Sequence, residues 1–125
     1  MGFVTLFYDR EGKPLQLLEW ARMFETIDRT VMRTTERRFM LSTVWLGNDM
    51  NWSPQGPPLI FESCVFFPDG SSEVLDRYPT EADALDGHQR HLRELQERRI
   101  PWRRRVPRIR LMASMSWLSR RVRGE

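Results

Sequence analysis

The chain has 125 residues, of which 40% are apolar and 11% aromatic, enough for one modest core in one domain and too much for a wholly disordered polypeptide. Its net charge of +3 hides a division: residues 1–97 carry ten basic side chains and sixteen acids, a net −6, whereas residues 98–125 carry ten arginines against Glu125, a net +9. A single cysteine, Cys64, excludes an intrachain disulfide and the Cys-rich structural zinc sites, and fits a reducing compartment.

Residues 2–9 predict the first strand. Phe3, Thr5 and Phe7 alternate with Val4, Leu6 and Tyr8, so both faces are apolar and the strand is expected at the centre of a sheet. Gly12 and Pro14 mark a turn. From Leu15 to Ile27 the period changes: Leu17, Ala21 and Phe24 form one stripe, with Trp20, Met23 and Ile27 beside it, which predicts an amphipathic helix. Gln16 is a weak cap, and Glu19 is expected in solvent. Residues 28–38 are polar with interspersed Thr and Val, and read as a loop. Residues 39–46 alternate as a second strand closed by Gly47. A stiff loop follows over 48–58, rich in Asn, Asp, Pro and Gly.

Residues 59–67 and 73–78 are predicted as the two strands of a hairpin turned by Pro68-Asp69-Gly70-Ser71. Thr80, with Asp83 three residues on, caps a second helix running to about Arg99. Leu85, Leu92 and Leu95 form its stripe, with Ala82 above and His88 beside. Ile100-Pro101 stops it. The expected architecture is α+β, in the order β-α-β-β-β-α. It is a four-stranded mixed or antiparallel sheet with two helices on one face, in a single domain over 1–99. Residues 100–125 form a basic extension. There Pro107 suits a helix start, and Leu111, Met115, Leu118 and Val122 recur at helical spacing, which predicts a basic C-terminal amphipathic helix.

Several clusters are candidates for function. In the extension, Trp102, Arg103, Arg104, Arg105, Arg108, Arg110, Trp117, Arg120, Arg121 and Arg123 offer guanidinium groups to phosphate or carboxylate, and indoles for stacking. The competing reading is that the apolar stripe docks on the acidic body. Nineteen of the twenty basic residues are Arg, which GC-rich coding also explains, so the identity of the cation says less than its clustering. Trp45, Asp49, Asn51 and Trp52, with Glu62 from the next strand, are a candidate pocket. Against it stands a structural role: Asp and Asn make local turn bonds, and the tryptophans cover the edge of the core. Glu62 in an apolar strand is either a buried carboxylate fit for acid–base chemistry or the partner of an arginine such as Arg77 across the hairpin. His88 and His91 have spacing that can share a metal, but no third ligand is near in sequence, and a helix-surface place is favoured. Cys64 reads as a small buried hydrophobe.

No Gly-rich phosphate loop, serine elbow or metal-ligand motif is present. The sequence therefore points away from an enzyme and calls for no cofactor and no metal. No basic segment followed by a long apolar run opens the chain, and stretches such as Cys64–Phe67 are far too short to cross a bilayer, so a membrane partner is disfavoured.

Five segments carry a resemblance: Tyr8–Pro14, Leu18–Ala21, Ser42–Gly47 (Ser-Thr-Val-Trp-Leu-Gly), Gly56–Glu62 (Gly-Pro-Pro-Leu-Ile-Phe-Glu) and Arg77–Leu85. Over residues 3–92, the body without the tail, the chain resembles a family of small uncharacterised proteins encoded by bacteriophages of actinobacteria. The family pattern places a histidine after the residue matching Asp49. Here that place is Met50, so no role of that histidine carries over. The resemblance implies a phage gene expressed in the host bacterial cytoplasm. The expectation is a non-enzymatic phage accessory protein that binds a host or phage macromolecule, a protein first, through the tail or the Trp45–Trp52 loop. The alternatives are a nucleic-acid-binding module acting on DNA or RNA through residues 98–123, a virion component, and last a small enzyme or ligand sequestrant built on Glu62, Asp49 and His88.

Overall fold

The computed structural model describes residues 6–53 and 55–98. Eight elements follow in chain order: β1 (Phe7–Tyr8), β2 (Pro14–Leu15), α1 (Leu17–Thr26), β3 (Thr30–Thr35), β4 (Met40–Trp45), β5 (Phe61–Phe66), β6 (Ser72–Tyr78) and α2 (Glu81–Glu97). The fold is α+β. Strands β3-β4-β5-β6 form an antiparallel sheet in that order, and β1 and β2 form a separate two-stranded ribbon.

Two predicted elements are corrected. The expected central strand over 2–9 contributes only β1 within the described residues, and β1 lies outside the main sheet, pairing Phe7 with Leu15 and Tyr8 with Pro14. Its apolar faces are used for attachment: Tyr8 N–H donates to Gly47 O at 2.8 Å, and the Phe7 ring lies 4.7 Å from that of Trp20. The segment over 28–38, read as a loop, instead holds the edge strand β3. Its Thr30, Val31, Thr34 and Thr35 are β-branched and suit a strand exposed along one side. The expected basic helix at the C-terminus lies outside the described residues.

The hairpin stands as expected. β5 pairs with β6 from Phe61↔Tyr78 to Phe66↔Ser72, with a bulge after Ser63. Asp69 Oδ1 accepts from the Ser71 N–H at 2.9 Å and its hydroxyl at 2.6 Å, which closes the turn. The Asp83 N–H donates to Thr80 Oγ1 at 3.1 Å, so the α2 cap also stands. At α1 the weak cap is reinforced by Glu19, which is exposed as expected and whose carboxylate accepts from the Gln16 N–H at 3.1 Å.

Strand alternation gives the sheet two faces. On the inner face, register aligns Leu41 with Val65, Thr43 with Ser63, and Trp45 with Phe61. Both helices pack here. Ala84 of α2 shares a cluster with Trp45, Ile60, Phe61 and Tyr78, and Trp20, Met23, Phe24 and Ile27 of α1 join it. Leu92 and Leu95 close a second cluster over Phe39, Leu41 and Val65. Each such side chain contributes about 1.5–3 kcal/mol by leaving water. Ala84 thus takes the core place expected for Ala82, which is exposed.

The outer face aligns Met40 with Phe66, Ser42 with Cys64, and Val44 with Glu62. All six side chains are buried, although both described helices lie on the other side; Leu46 and Met50 pack with Val44 at one end of this face.

Gly87 explains how α2 comes so close. A Cβ there would fall 2.2 Å from the Tyr78 ring, so only glycine admits the tyrosine against the helix.

Candidate functional site

The end of the sheet beyond β4 and β5 is built by the ribbon, the start of α1 and the loop over 46–59. Gly47 has φ +81°, and a Cβ on it would lie 2.5 Å from both Trp20 and Trp45. Glycine therefore permits both the turn out of β4 and the close packing of two indoles. These indoles also hold backbone: Trp20 Nε1–H donates to Leu46 O at 2.8 Å, and Trp45 Nε1–H to Tyr8 O at 3.2 Å. Arg10, at the ribbon turn, forks onto Glu81 with bonds of 2.9 and 2.8 Å, tying the ribbon to the N-terminus of α2.

The loop is braced from within. Asp49 Oδ1 accepts from the N–H groups of Asn51 and Leu59 at 2.8 and 3.0 Å. Asn51 Nδ2 donates to the carbonyls of Gln55 and Pro57 at 3.0 and 2.9 Å, and its Oδ1 accepts from the Ser53 N–H at 2.9 Å. The Asp49 N–H donates to Leu6 O at 2.8 Å and the Met50 N–H to Leu59 O at 2.9 Å. Asp49 and Asn51 thus serve the turn-building role. They hold out a side chain that touches little: Trp52 is 90% exposed. Leu6, Leu17 and Leu18 are exposed by 50, 57 and 71%. Topology brings them to this same end, because the Leu6 carbonyl holds Asp49 and Leu17 and Leu18 follow the ribbon strand paired with Phe7.

The candidate pocket does not assemble. Trp45 is fully buried in the inner core, 6.2 Å from the Phe24 ring, while Trp52 stands in solvent. Glu62 is fully buried on the outer face. Its Oε2 accepts from Arg77 Nε–H at 3.2 Å, the expected cross-hairpin partner, while Oε1 has no hydrogen-bond partner among the described residues. Burial pushes the Glu62 carboxyl above the usual carboxylate range, with Arg77 pulling the other way.

His88 is not on the helix surface but fully buried beneath α2. A chain of bonds runs through it. The Tyr78 hydroxyl donates to Ser63 Oγ at 2.9 Å, Ser63 lies 2.6 Å from Thr43 Oγ1, Thr43 lies 2.7 Å from His88 Nδ1, and His88 Nε2 lies 2.9 Å from Thr34 Oγ1. With Tyr78 as first donor, each hydroxyl gives its proton to the next. Nδ1 then accepts, and the Nε2–H donates to Thr34. Burial, and then the neighbouring His91, lower the His88 pKa to about 4, which keeps the ring neutral. Both ring nitrogens are engaged, so the His88–His91 spacing does not serve a metal. His91 instead faces Asp76 at 3.3 Å and Glu94 at 3.2 Å. Glu62, Asp49 and His88 occupy the outer face, the loop and the inner face, and share no site. Cys64 is buried, as expected.

Sequence reasoning missed the exposed leucines and the hydroxyl–imidazole chain. The signals were present: Leu17 and Leu18 stand about 100° apart on a helix and cannot both face one core. Thr43 and Ser63 at inward positions need partners. Trp102, Trp117 and the arginines from Arg103 to Arg123 lie outside the described residues. No described helix is long and apolar enough to cross a membrane. Comparison with protein-family models, with curated proteins and with solved structures finds no match.

Proposed function

We propose that the chain is a non-enzymatic accessory protein, encoded by a phage of actinobacteria and acting in the host cytoplasm, that binds a host or phage protein through the Trp52 platform. One observation carries this reading: an indole 90% exposed on a loop held by its own hydrogen bonds. An exposed apolar group on a braced loop offers a large contact area with little ordering cost on binding, the arrangement of an interface anchor. Leu6, Leu17 and Leu18 extend the apolar surface at the same end.

The test is affinity capture of the tagged full chain from nuclease-treated actinobacterial lysate, infected and uninfected, beside Trp52→Ala. The expected result is one stoichiometric partner, bound about 30-fold more weakly by the variant, as for an anchor worth about 2 kcal/mol. An empty capture defeats the reading, and equal capture by the variant removes Trp52 from it. A partner that is a structural protein of the particle would make the chain a virion component.

The second reading, a nucleic-acid-binding module, rests on the ten arginines of residues 98–125. It expects affinity for DNA or RNA that falls steeply with salt and disappears when residues 101–125 are deleted.

A further inference from the structure

Among the described residues the large apolar side chains exposed to water are Leu6, Leu17, Leu18 and Trp52, and topology brings them to the end beyond β4 and β5. Helix α1 lies across that end. It begins just after β2, its Trp20 Nε1–H donates to Leu46 O, and beyond its C-terminus Arg29 O accepts from the Trp45 N–H at 2.8 Å. The helix is amphipathic, yet none of its residues is fully buried. Trp20, Met23, Phe24 and Ile27 reach the inner cluster, while Leu17 and Leu18 are left in water. An apolar surface of this kind, on the same end as the exposed indole, marks a contact region.

The charge at this end says what the region fits. Glu11 in the ribbon turn, Glu19 and Glu25 of α1, Asp28 before β3 and Asp83 in the first turn of α2 are exposed acids, and the exposed cations here are Lys13 and Arg22. The other two arginines serve the fold: Arg10 forks onto Glu81, and Arg29 lies 3.7 Å over the Phe24 ring. Arg10 also donates to Asp28 O at 3.2 Å, so one guanidinium ties the ribbon, the link from α1 to β3 and the start of α2, and gathers their acids about the same end. At the opposite end of the sheet the exposed Arg37, Arg93 and Arg98 nearly balance Asp69, Glu73, Glu94 and Glu97. Five acids against two cations repel lipid phosphate and nucleic acid and attract a cation. An apolar patch with an acidic border is complementary to a polypeptide segment whose own apolar face is bordered by lysine or arginine.

Taking the Trp52 platform as the binding surface, we infer that it accepts a cationic amphipathic segment of a partner protein. The apolar face of that segment sits against Trp52, Leu6, Leu17 and Leu18, and its basic residues lie opposite Glu11, Glu19, Glu25, Asp28 and Asp83. The acids steer and orient the segment, and burial of the indole and the leucines supplies most of the affinity.

The probe is a fluorescein-labelled peptide of two Leu-Lys-Lys-Leu-Leu-Lys-Leu repeats, titrated with the full chain and followed by anisotropy. Beside it run an analogue with Glu for Lys and an isomer whose order breaks the apolar face. The arginines of residues 98–125 attract anionic probes on their own, so the quantity read is the part of the binding lost in Trp52→Ala. The expected result is that Trp52→Ala weakens the cationic peptide about tenfold or more. Glu11→Gln with Glu25→Gln should weaken it about threefold in low salt, and less in about 0.5 M salt. The analogue and the isomer should show no Trp52-dependent binding. Equal Trp52-dependent binding of the Glu analogue overturns the cationic assignment. Trp52-dependent binding to phosphatidylglycerol vesicles overturns it in favour of a membrane contact, and self-association abolished by Trp52→Ala overturns it in favour of a second copy. If no peptide binds through Trp52 while lysate capture still yields a partner that the variant loses, the cationic segment is wrong and the platform stands. If both come back empty, the platform falls with it.

Discussion

The inner and outer faces of the sheet both bury polar groups, and they treat them in opposite ways. Inside, Thr34, Thr43, Ser63, Tyr78 and His88 form one continuous chain in which every hydroxyl has a partner and the imidazole uses both nitrogens. Outside, Glu62 brings a carboxylate into an apolar setting with Arg77 on one oxygen and, among the described residues, nothing on the other. The difference teaches where the described fold is finished. A neutral chain with matched donors and acceptors costs little to bury, whereas a half-partnered carboxylate is tolerated only where further structure or a proton completes it.

The largest test of that contrast breaks the inner chain. His88→Ala leaves Thr34 and Thr43 without their common partner and opens a cavity beneath α2, so a loss of about 4 kcal/mol is expected in urea unfolding. The same chain predicts acid sensitivity. The unfolded chain takes up a proton at His88 near pH 6.5, the folded one only near pH 4. Stability present at neutral pH is therefore lost as pH falls from about 6.5 to about 4, by up to about 3 kcal/mol. His88→Gln should flatten that slope; a slope unchanged in the variant would assign it to other groups.

On the outer face, Arg77→Ala removes the one partner Glu62 has among the described residues and is expected to cost about 2–3 kcal/mol. The pH dependence here has the opposite sign. Without Arg77 the buried carboxyl holds its proton to higher pH than the unfolded group, so the variant loses most at pH 8 and least near pH 5. Equal losses at the two pH values would mean that Glu62 is not the group Arg77 serves. A smaller effect is expected at the helix that closes the inner face. Gly87→Ala forces a Cβ against Tyr78 and should cost about 2 kcal/mol despite the better helix propensity of alanine. Adding Tyr78→Phe should not rescue it, because the ring carbons are as close as the hydroxyl.

These contrasts mark what was legible in the sequence. The hairpin was, since a strong turn lies between two apolar runs and both signals are local. The α2 cap was, for the same reason. The Glu62–Arg77 pair was anticipated because a hairpin fixes cross-strand neighbours once its turn is known. The edge strand β3 was not, because Arg33, Glu36, Arg37 and Arg38 give a charged composition that resembles a loop, and β-branching was the only strand signal. The first segment was misplaced because apolar alternation signals a buried strand without naming which neighbour buries it. Phe7 packs on Trp20 and Tyr8 is held by Gly47 after β4, and the strand that flanks them is the two-residue β2, not a strand of the main sheet. His88 was misjudged for want of its partners: Thr34, Thr43 and Ser63 lie 54, 45 and 25 positions away in the chain, and only strand register gathers them.

The smallest expected change in stability belongs to the residue on which the proposed function rests. Trp52 is 90% exposed, so Trp52→Ala should alter unfolding free energy by less than about 0.5 kcal/mol. Asp49→Ala, three residues earlier in the same loop, removes the acceptor shared by Asn51 and Leu59 and should cost about 1–2 kcal/mol. The pair separates presentation from contact. If Trp52 is the anchor, both variants lose the partner, one with stability intact and the other because the braced platform loosens. If Trp52→Ala keeps the partner while Asp49→Ala loses it, the loop's backbone or the exposed leucines make the contact instead. A tryptophan that strengthens neither the fold nor any association would leave its exposure without a purpose, and this outcome would count most heavily against a binding role for this end of the molecule.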